Sequence, residues 1–550
     1  MRSGARTGTI RRLPVRTAVV MVVALLAAAC GSTLSSRHAL RASGGSNPTG
    51  DAGLGGTATG SSQSGGGASG PGSGTGDAGG GSGAGGGGPT WPTGANGSAN
   101  GPGLGGGGAN PGAAGETGGT GTGSNGSNAG GSSGSLRAGP VRGSGSAQGV
   151  TATTILVGVP YSVNGAAADK AIGASGITQG DEKSDYQIVI NDFNAHGGIL
   201  GRKIVPVFHA LDATDPSTTD AKYQAACADF TQDHHVFAVF GGNSDSFVSC
   251  LEKAGVVPIS ADFTQADDQT FRTFPHYIET SSLDLTRQAR VVPDGLFAQG
   301  YFGRSPKIGI VAFDLPGFTR AVNGILIPDL RGHGFNSIDT VFVNALQSNG
   351  DLGTLSAQVS NAALKFRAEG VDHVLLQDIQ GVLTLEFLQQ AASQRYYPRY
   401  GFGTPNGGQA LAPDLPAAAL HGTLQVGWLP IEDIGAAQDP DAASSPARRR
   451  CLALYAAHQT TFADRNAETV GLAVCQETWF LRAALTQGGA LSPQGLLDGV
   501  ARLGDSFSPT INHANHYDAN QHDGVSGVRY GAYDDGCSCF KYTSGVINVG

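Results

Sequence analysis

From Val150 to the C-terminus the chain alternates two hydrophobic periods. Short continuous apolar runs occur at Ile155–Val159, Ile204–Phe208, Val236–Phe240, Val256–Ile259, Ile308–Ala312, Val341–Val343 and Val374–Leu376. Runs this short and this apolar predict strands buried on both faces. Between them the apolar positions recur every three or four residues. That spacing predicts helices over Asp181–Ala195, where Tyr186, Ile190 and Phe193 share a face, and over Thr218–Gln232, Asp245–Ala254, Leu283–Gln299, Thr319–Gly332, Leu355–Ala368 and Val382–Gln394. Strands alternating with helices of this length imply βαβ units, hence an α/β fold of parallel sheets flanked by helices.

Upstream of Val150 neither period is found. Thr17–Ala29 (TAVVMVVALLAAA) is an uncharged apolar run of 13 residues, preceded by Arg2, Arg6, Arg11, Arg12 and Arg16. A membrane-spanning helix needs about 20 such residues. A cationic start, a short apolar run and a small-residue end predict an export signal over 1–30. The run closes on Leu26-Ala27-Ala28-Ala29-Cys30-Gly31. This resembles a bacterial lipobox, in which small residues admit the peptidase and the thiol, here that of Cys30, accepts a lipid. Its leucine sits one place further from the cysteine than usual, with Ala27 in the usual position. The expectation is a protein lipid-anchored to the cell membrane on its extracytoplasmic face.

Composition separates the next segment from the rest. Of the 119 residues from Gly31 to Gly149, 45 are glycine, mixed with Ser, Ala, Asn and Thr. Such a segment cannot bury enough apolar surface to offset its ordering entropy, so residues 31–149 are expected to be a disordered tether. A flexible coil of that length spans about 60 Å root-mean-square. Residues 150–550 have ordinary globular composition and length enough for two lobes. The formal net charge of −9 excludes a nucleic-acid partner, which needs clustered cations. The densest basic run, Arg448-Arg449-Arg450, would be spread around a helix. Six cysteines beyond Cys30 favour disulfides in an exported chain. Sequence neighbourhood suggests Cys227–Cys250 and Cys451–Cys475, each worth about 3 kcal/mol in the chain-entropy view; Cys537 and Cys539 would close a small ring.

One run is more specific. Residues 190–204 read INDFNAHGGILGRKI, followed by Asp212-Ala213-Thr214-Asp215-Pro216 and a helix. A helix ends at Gly197-Gly198, where positive φ is free, and Gly201 turns the chain into the next strand. The run resembles the helix-to-strand signature of type I periplasmic binding proteins for branched-chain amino acids and amides. The resemblance covers Val150 to the C-terminus. It implies two α/β lobes joined by three crossovers and closing on a small ligand: lobe I about 151–283 and 428–527, lobe II about 284–427 and 528–550. It also implies an ABC permease as partner and no cofactor.

Ligands of open α/β sheets sit beyond the carboxyl ends of strands. Gly241-Gly242-Asn243-Ser244-Asp245 follows the third strand, and Ser260-Ala261-Asp262-Phe263-Thr264 follows the fourth. In the resembling family these segments hold a ligand carboxylate, so Asn243, Ser244, Asp262 and Thr264 are candidates. Tyr161 and Phe318 match positions of aromatic walls. Gln377-Asp378 and Thr404-Pro405-Asn406 follow lobe II strands. The family commonly places an acid at the latter; Asn406 is found instead, which leaves Asp378 and Asp314 to pair with a ligand ammonium. A ligand sensor of the same fold is the first alternative to an importer component. A metal-dependent hydrolase is the second, since His513, His516, Asp518, His522 and Asp523 lie close in sequence; their spacing matches no helical zinc motif, and no catalytic residue is assigned. If Cys30 carries the anchor, Cys30→Ala should move the protein from the membrane fraction to the soluble fraction. Unchanged retention without lipid labelling would count against it.

Overall fold

β1 (Thr154–Val163) has Ile155, Val157 and Val159 wholly buried, because neighbouring strands flank it and helices cover it. In the computed structural model, residues 147–165, 180–242, 244–262, 264–379, 381–439, 445–463 and 465–550 are described. The export signal, Cys30, residues 31–146 and Asn243 lie outside them. β1 joins β2 (Lys203–Asp212), β3 (Ala238–Phe240), β4 (Val257–Ser260) and β5 (Ile278–Glu279) in a parallel sheet of order β2-β1-β3-β4-β5.

A second sheet holds β6 (Ile308–Phe313), β7 (Ile338–Val343), β8 (His373–Gln377), β9 (Arg399–Gly403) and β10 (Leu424–Gly427), parallel in the order β7-β6-β8-β9-β10. β11 (Gly527–Asp534) adds antiparallel to β10, and β12 (Cys539–Tyr542) and β13 (Ile547–Asn548) pair with β11. The chain therefore passes between the sheets after β5, after β10 and before β11. Each sheet with its helices is one lobe.

The Ile190–Ile204 run owes its shape to one side chain and three glycines. Asn194, near the end of the helix Glu182–Ala195, donates to Ile204 O and accepts from Ile204 N, both at 2.8 Å, as a strand neighbour would. Gly197, Gly198 and Gly201 all have positive φ, and a Cβ on Gly198 would lie 2.0 Å from Arg202 O. A larger residue there would break the turn.

The strands and helices expected from periodicity are present with shifted ends. Two helices are less regular than their spacing suggested. Thr219–Ala228 continues as one wide turn, Asp229–Asp233, and Pro316–Gly332 contains another at Val322–Leu326 just before Pro328. Proline supplies no N–H for the preceding turn, and a wide turn accommodates the gap. β5 and the helix Pro493–Leu503 were not among the expected elements, while the helix that carries Arg448-Arg449-Arg450 is present as Pro446–Ala457. Arg465–Gly488 buries residues around most of its circumference, so it shows no single apolar stripe. Cys227–Cys250, Cys451–Cys475 and Cys537–Cys539 are bonded.

The last two helices cross on glycine. A Cβ on Gly499 would lie 1.8 Å from Ala484 O, a backbone atom that cannot move aside cheaply. Gly499→Ala should therefore destabilise by about 3 kcal/mol through overpacking. Gly353→Ala, exposed in a helix with open space around it, should be neutral or stabilising by about 0.5–1 kcal/mol. Equal melting temperatures for the two variants in scanning calorimetry would refute this packing argument.

Candidate ligand cleft

The carboxyl ends of both sheets face the same gap, and two cavities lie there. The larger, about 250 Å³, is bounded in the first lobe by Thr219, Asp220, Ser244, Asp245 and Ser246, and in the second by Phe313, Leu315, Pro316 and Gly317 at the end of β6, Ala345–Gln347 after β7 and Ile379 after β8. The smaller, about 70 Å³, lies within the first lobe. Tyr161 and Ser162 among the last residues of β1, Gly241 and Gly242 after β3, and Ala261 and Asp262 after β4 line it, with Glu182, Tyr186 and Glu477 from two covering helices. Tyr223 borders both. At about 30 Å³ per water, the smaller space fits an ammonium-sized group and the larger a small solute. The lobes touch across the gap. Thr219 N and Oγ1 donate to Gln347 O at 3.0 and 3.3 Å, and Arg320 forks onto Asp267 at 2.6 and 2.8 Å.

Carboxyl groups dominate the electrostatics. Glu477 Oε1 accepts from Gly241 N at 3.1 Å and Ala261 N at 2.8 Å, while Tyr186 donates to Oε2. Burial pushes Glu477 up to about 8, against the pull of those donors. Glu182 Oε2 accepts from Ser162 N at 2.9 Å; burial pushes it up to about 7, aided by the charge of Asp262. Glu432 rises to about 7 and Glu279 well above its usual value, again through burial with Asp262 contributing. One oxygen of each, Oε2, is buried without a hydrogen-bond partner. Asp245 rises to about 6 by burial, partly offset by Arg320.

The candidates separate by position. Tyr161 and Asp262 border the smaller cavity and Ser244 the larger. Ser244 also caps the helix Asp245–Lys253, its Oγ accepting from Phe247 N at 3.3 Å. Five expectations need correcting. Asp378 is buried and faces its own backbone: it accepts from Ile379 N, Leu383 N, Thr384 N and Thr384 Oγ1, so no oxygen is left for an ammonium. Asn406 is buried and bridges strand ends, donating to Leu376 O and Thr384 Oγ1 and accepting from Gly403 N. Thr264 is buried, accepting from Ala266 N beside Tyr277. Phe318 is buried edge-on to Phe313 in the core. Asp314 is exposed and borders neither cavity.

The polar stretch near the C-terminus is divided among separate partners. His513 meets Tyr542, His516 meets Asp505, and Asp523 is held by Arg287 and Asp284 N. Sequence reasoning missed Glu182, Tyr186, Tyr223, Asp245 and Glu477 as cleft residues. Glu477 left one signal: an acid inside the apolar stretch Gly471–Leu485, where a carboxyl must find buried donors.

No family model matches the chain, and no curated protein matches it. Solved structures do. A solute-binding protein of an ABC transporter from R. palustris, in complex with 4-hydroxybenzoate, is 15% identical with a TM-score of 0.51, covering 72% of this chain and 97% of that one. A leucine-binding protein from Thermotoga maritima is 15% identical with a TM-score of 0.50, covering 72% and 99%. The shared feature is the fold, the two-lobed type I periplasmic-binding-protein architecture.

The raised carboxyls set a pH dependence. Glu182, Glu432 and Glu477 titrate near 7 to 8 when folded, against 4.5 for an unperturbed Glu. Between those values the folded state binds more protons. Their contribution to stability is therefore full below about pH 4.5 and is lost as pH rises through 7 to 8. The melting temperature of the ligand-free protein should fall between pH 5.5 and 8.5. Glu477→Gln, a neutral amide that keeps an acceptor, should flatten the upper part of that fall. Glu477→Ala should cost about 1–3 kcal/mol at every pH by orphaning the buried Ala261 N–H and the Tyr186 hydroxyl. A melting temperature that climbs with pH would contradict the assignment.

Proposed function

We propose that the chain is the solute-capturing component of an ABC importer, without catalytic turnover. It would be anchored outside the membrane through lipidated Cys30 and would present its ligand-closed form to a permease. The observation that carries this reading is the larger cavity, whose walls come from the strand ends of two separate lobes. A solute in that space touches both lobes at once, which is how a ligand gains contacts available only in the closed state and so shifts the population toward it. The apolar wall of Phe313, Leu315 and Ile379 opposite the polar wall of Ser244, Asp245 and Ser246 suits a small amphipathic solute. That the similar structures are of solute-binding proteins supports the same reading.

The test is a titration of the full chain against a panel of small solutes, read by calorimetry and thermal shift. A true ligand at 100 times its Kd should stabilise by about 2.7 kcal/mol. Ala345→Trp, which fills the larger cavity from a second-lobe loop, should melt near the wild-type temperature and lose that stabilisation. Undiminished binding by this variant would show that ligands go elsewhere.

A further inference from the structure

An anionic ligand group needs converging N–H or hydroxyl donors. In the first lobe those donors lie at the ends of β3 and β4, and they are occupied. Gly241 N and Ala261 N both point at Glu477 Oε1. Ser244 Oγ serves as a helix cap beside Ser246, whose hydroxyl goes to Asp220. A ligand carboxylate arriving here would meet a protein carboxyl instead of free donors.

The rest of the lining has the same sign. Glu182, Asp262 and Glu477 border the smaller cavity, Asp220 and Asp245 the larger, and among the described residues no Lys, Arg or His borders either. Two cations lie close by: Arg320 is forked on Asp267, and Lys183 Nζ lies over the rings of Phe208 and of Tyr161, a residue of the smaller cavity's wall, without bordering that cavity itself. Independently of that cluster, Glu279 Oε2 is buried without a partner within electrostatic reach of Asp262 and Glu477, whereas Glu432 has Arg465 and Thr469 beside it. A buried carboxyl left unpaired is costly, and a positive charge nearby relieves the cost. Tyr186 and Tyr223 add aromatic surface, which also favours a cation.

Resting on the receptor reading, we propose that the cleft selects a small organic cation without a carboxylate, an alkylammonium or diammonium solute. Its ammonium would lie in the smaller cavity near Glu182 and Asp262. Its hydrocarbon part would lie in the larger one against Phe313, Leu315 and Ile379. Because burial holds Glu182 and Glu477 high in the free protein, the arriving charge favours their ionised forms and releases protons. Apparent affinity should therefore rise from pH 6 to pH 8.

Calorimetry on the full chain distinguishes the outcomes, with n-butylammonium and putrescine as cations, isobutyramide as neutral probe, leucine as zwitterion and 4-hydroxybenzoate as anion. A cation should bind, with a heat that varies with the ionisation enthalpy of the buffer, and leucine and 4-hydroxybenzoate should bind at least about thirty-fold more weakly. Glu182→Gln and Asp262→Asn should each weaken the cation about thirty-fold, since a desolvated charge loses its partner; the comparison of probes on the wild-type chain stands even if a variant misfolds. Tight binding of leucine, isobutyramide or 4-hydroxybenzoate that Ala345→Trp abolishes would overturn the cation assignment and leave the receptor reading in place. Silence of every probe, with Ala345→Trp indistinguishable from wild type, would overturn both.

Discussion

Glu477 reaches from the helix Arg465–Gly488 to the ends of two neighbouring strands. There it accepts Gly241 N and Ala261 N on one oxygen and the Tyr186 hydroxyl on the other. Ala261 N and the Tyr186 hydroxyl are buried, so losing the carboxyl would strand both, while Gly241 N keeps a second acceptor in Ile259 O at 2.9 Å. The loops that floor the cleft and the helix Glu182–Ala195 that walls it are thus referenced to one side chain. Tyr161, Asp262 and Ser244 have their places because those loops have theirs.

This arrangement carries an electrostatic cost. For Glu182, Glu279, Glu432 and Glu477, burial opposes ionisation and the charge of Asp262 adds to it, with Arg465 partly offsetting both at Glu432. A protein selected for rigidity alone would replace such groups with apolar ones of similar size, which is often neutral or stabilising. Acid retained where two lobes meet is better understood as a feature of what the lobes close upon. Arg287 on Asp523 and Arg448 on Asp439 show that this chain neutralises buried acids with arginine where structure alone requires it.

The architecture was legible because parallel strands buried on both faces leave continuous apolar runs and their covering helices leave stripes. The Gly197-Gly198 turn was legible because positive φ leaves few residue choices. The cleft was legible only in part. A carboxylate just after a strand can face the gap or cap the next helix, and sequence does not say which. Asp262 borders a cavity, while Asp378 turns inward onto Leu383 and Thr384. Glu477 was beyond reach for a different reason: its bond to Ala261 spans 216 residues, and no local pattern encodes a contact of that range.

The covalent cross-links have a mechanical reading. Cys227–Cys250 and Cys451–Cys475 each tie helices of the first lobe, and Cys537–Cys539 closes within the terminal hairpin of the second. None bridges the three passages between sheets. Oxidation therefore stiffens the jaws and leaves the joint its full freedom of rotation. The redox state of the surroundings should then govern how long the molecule survives unfolding and proteolysis, with little influence on how firmly it grips.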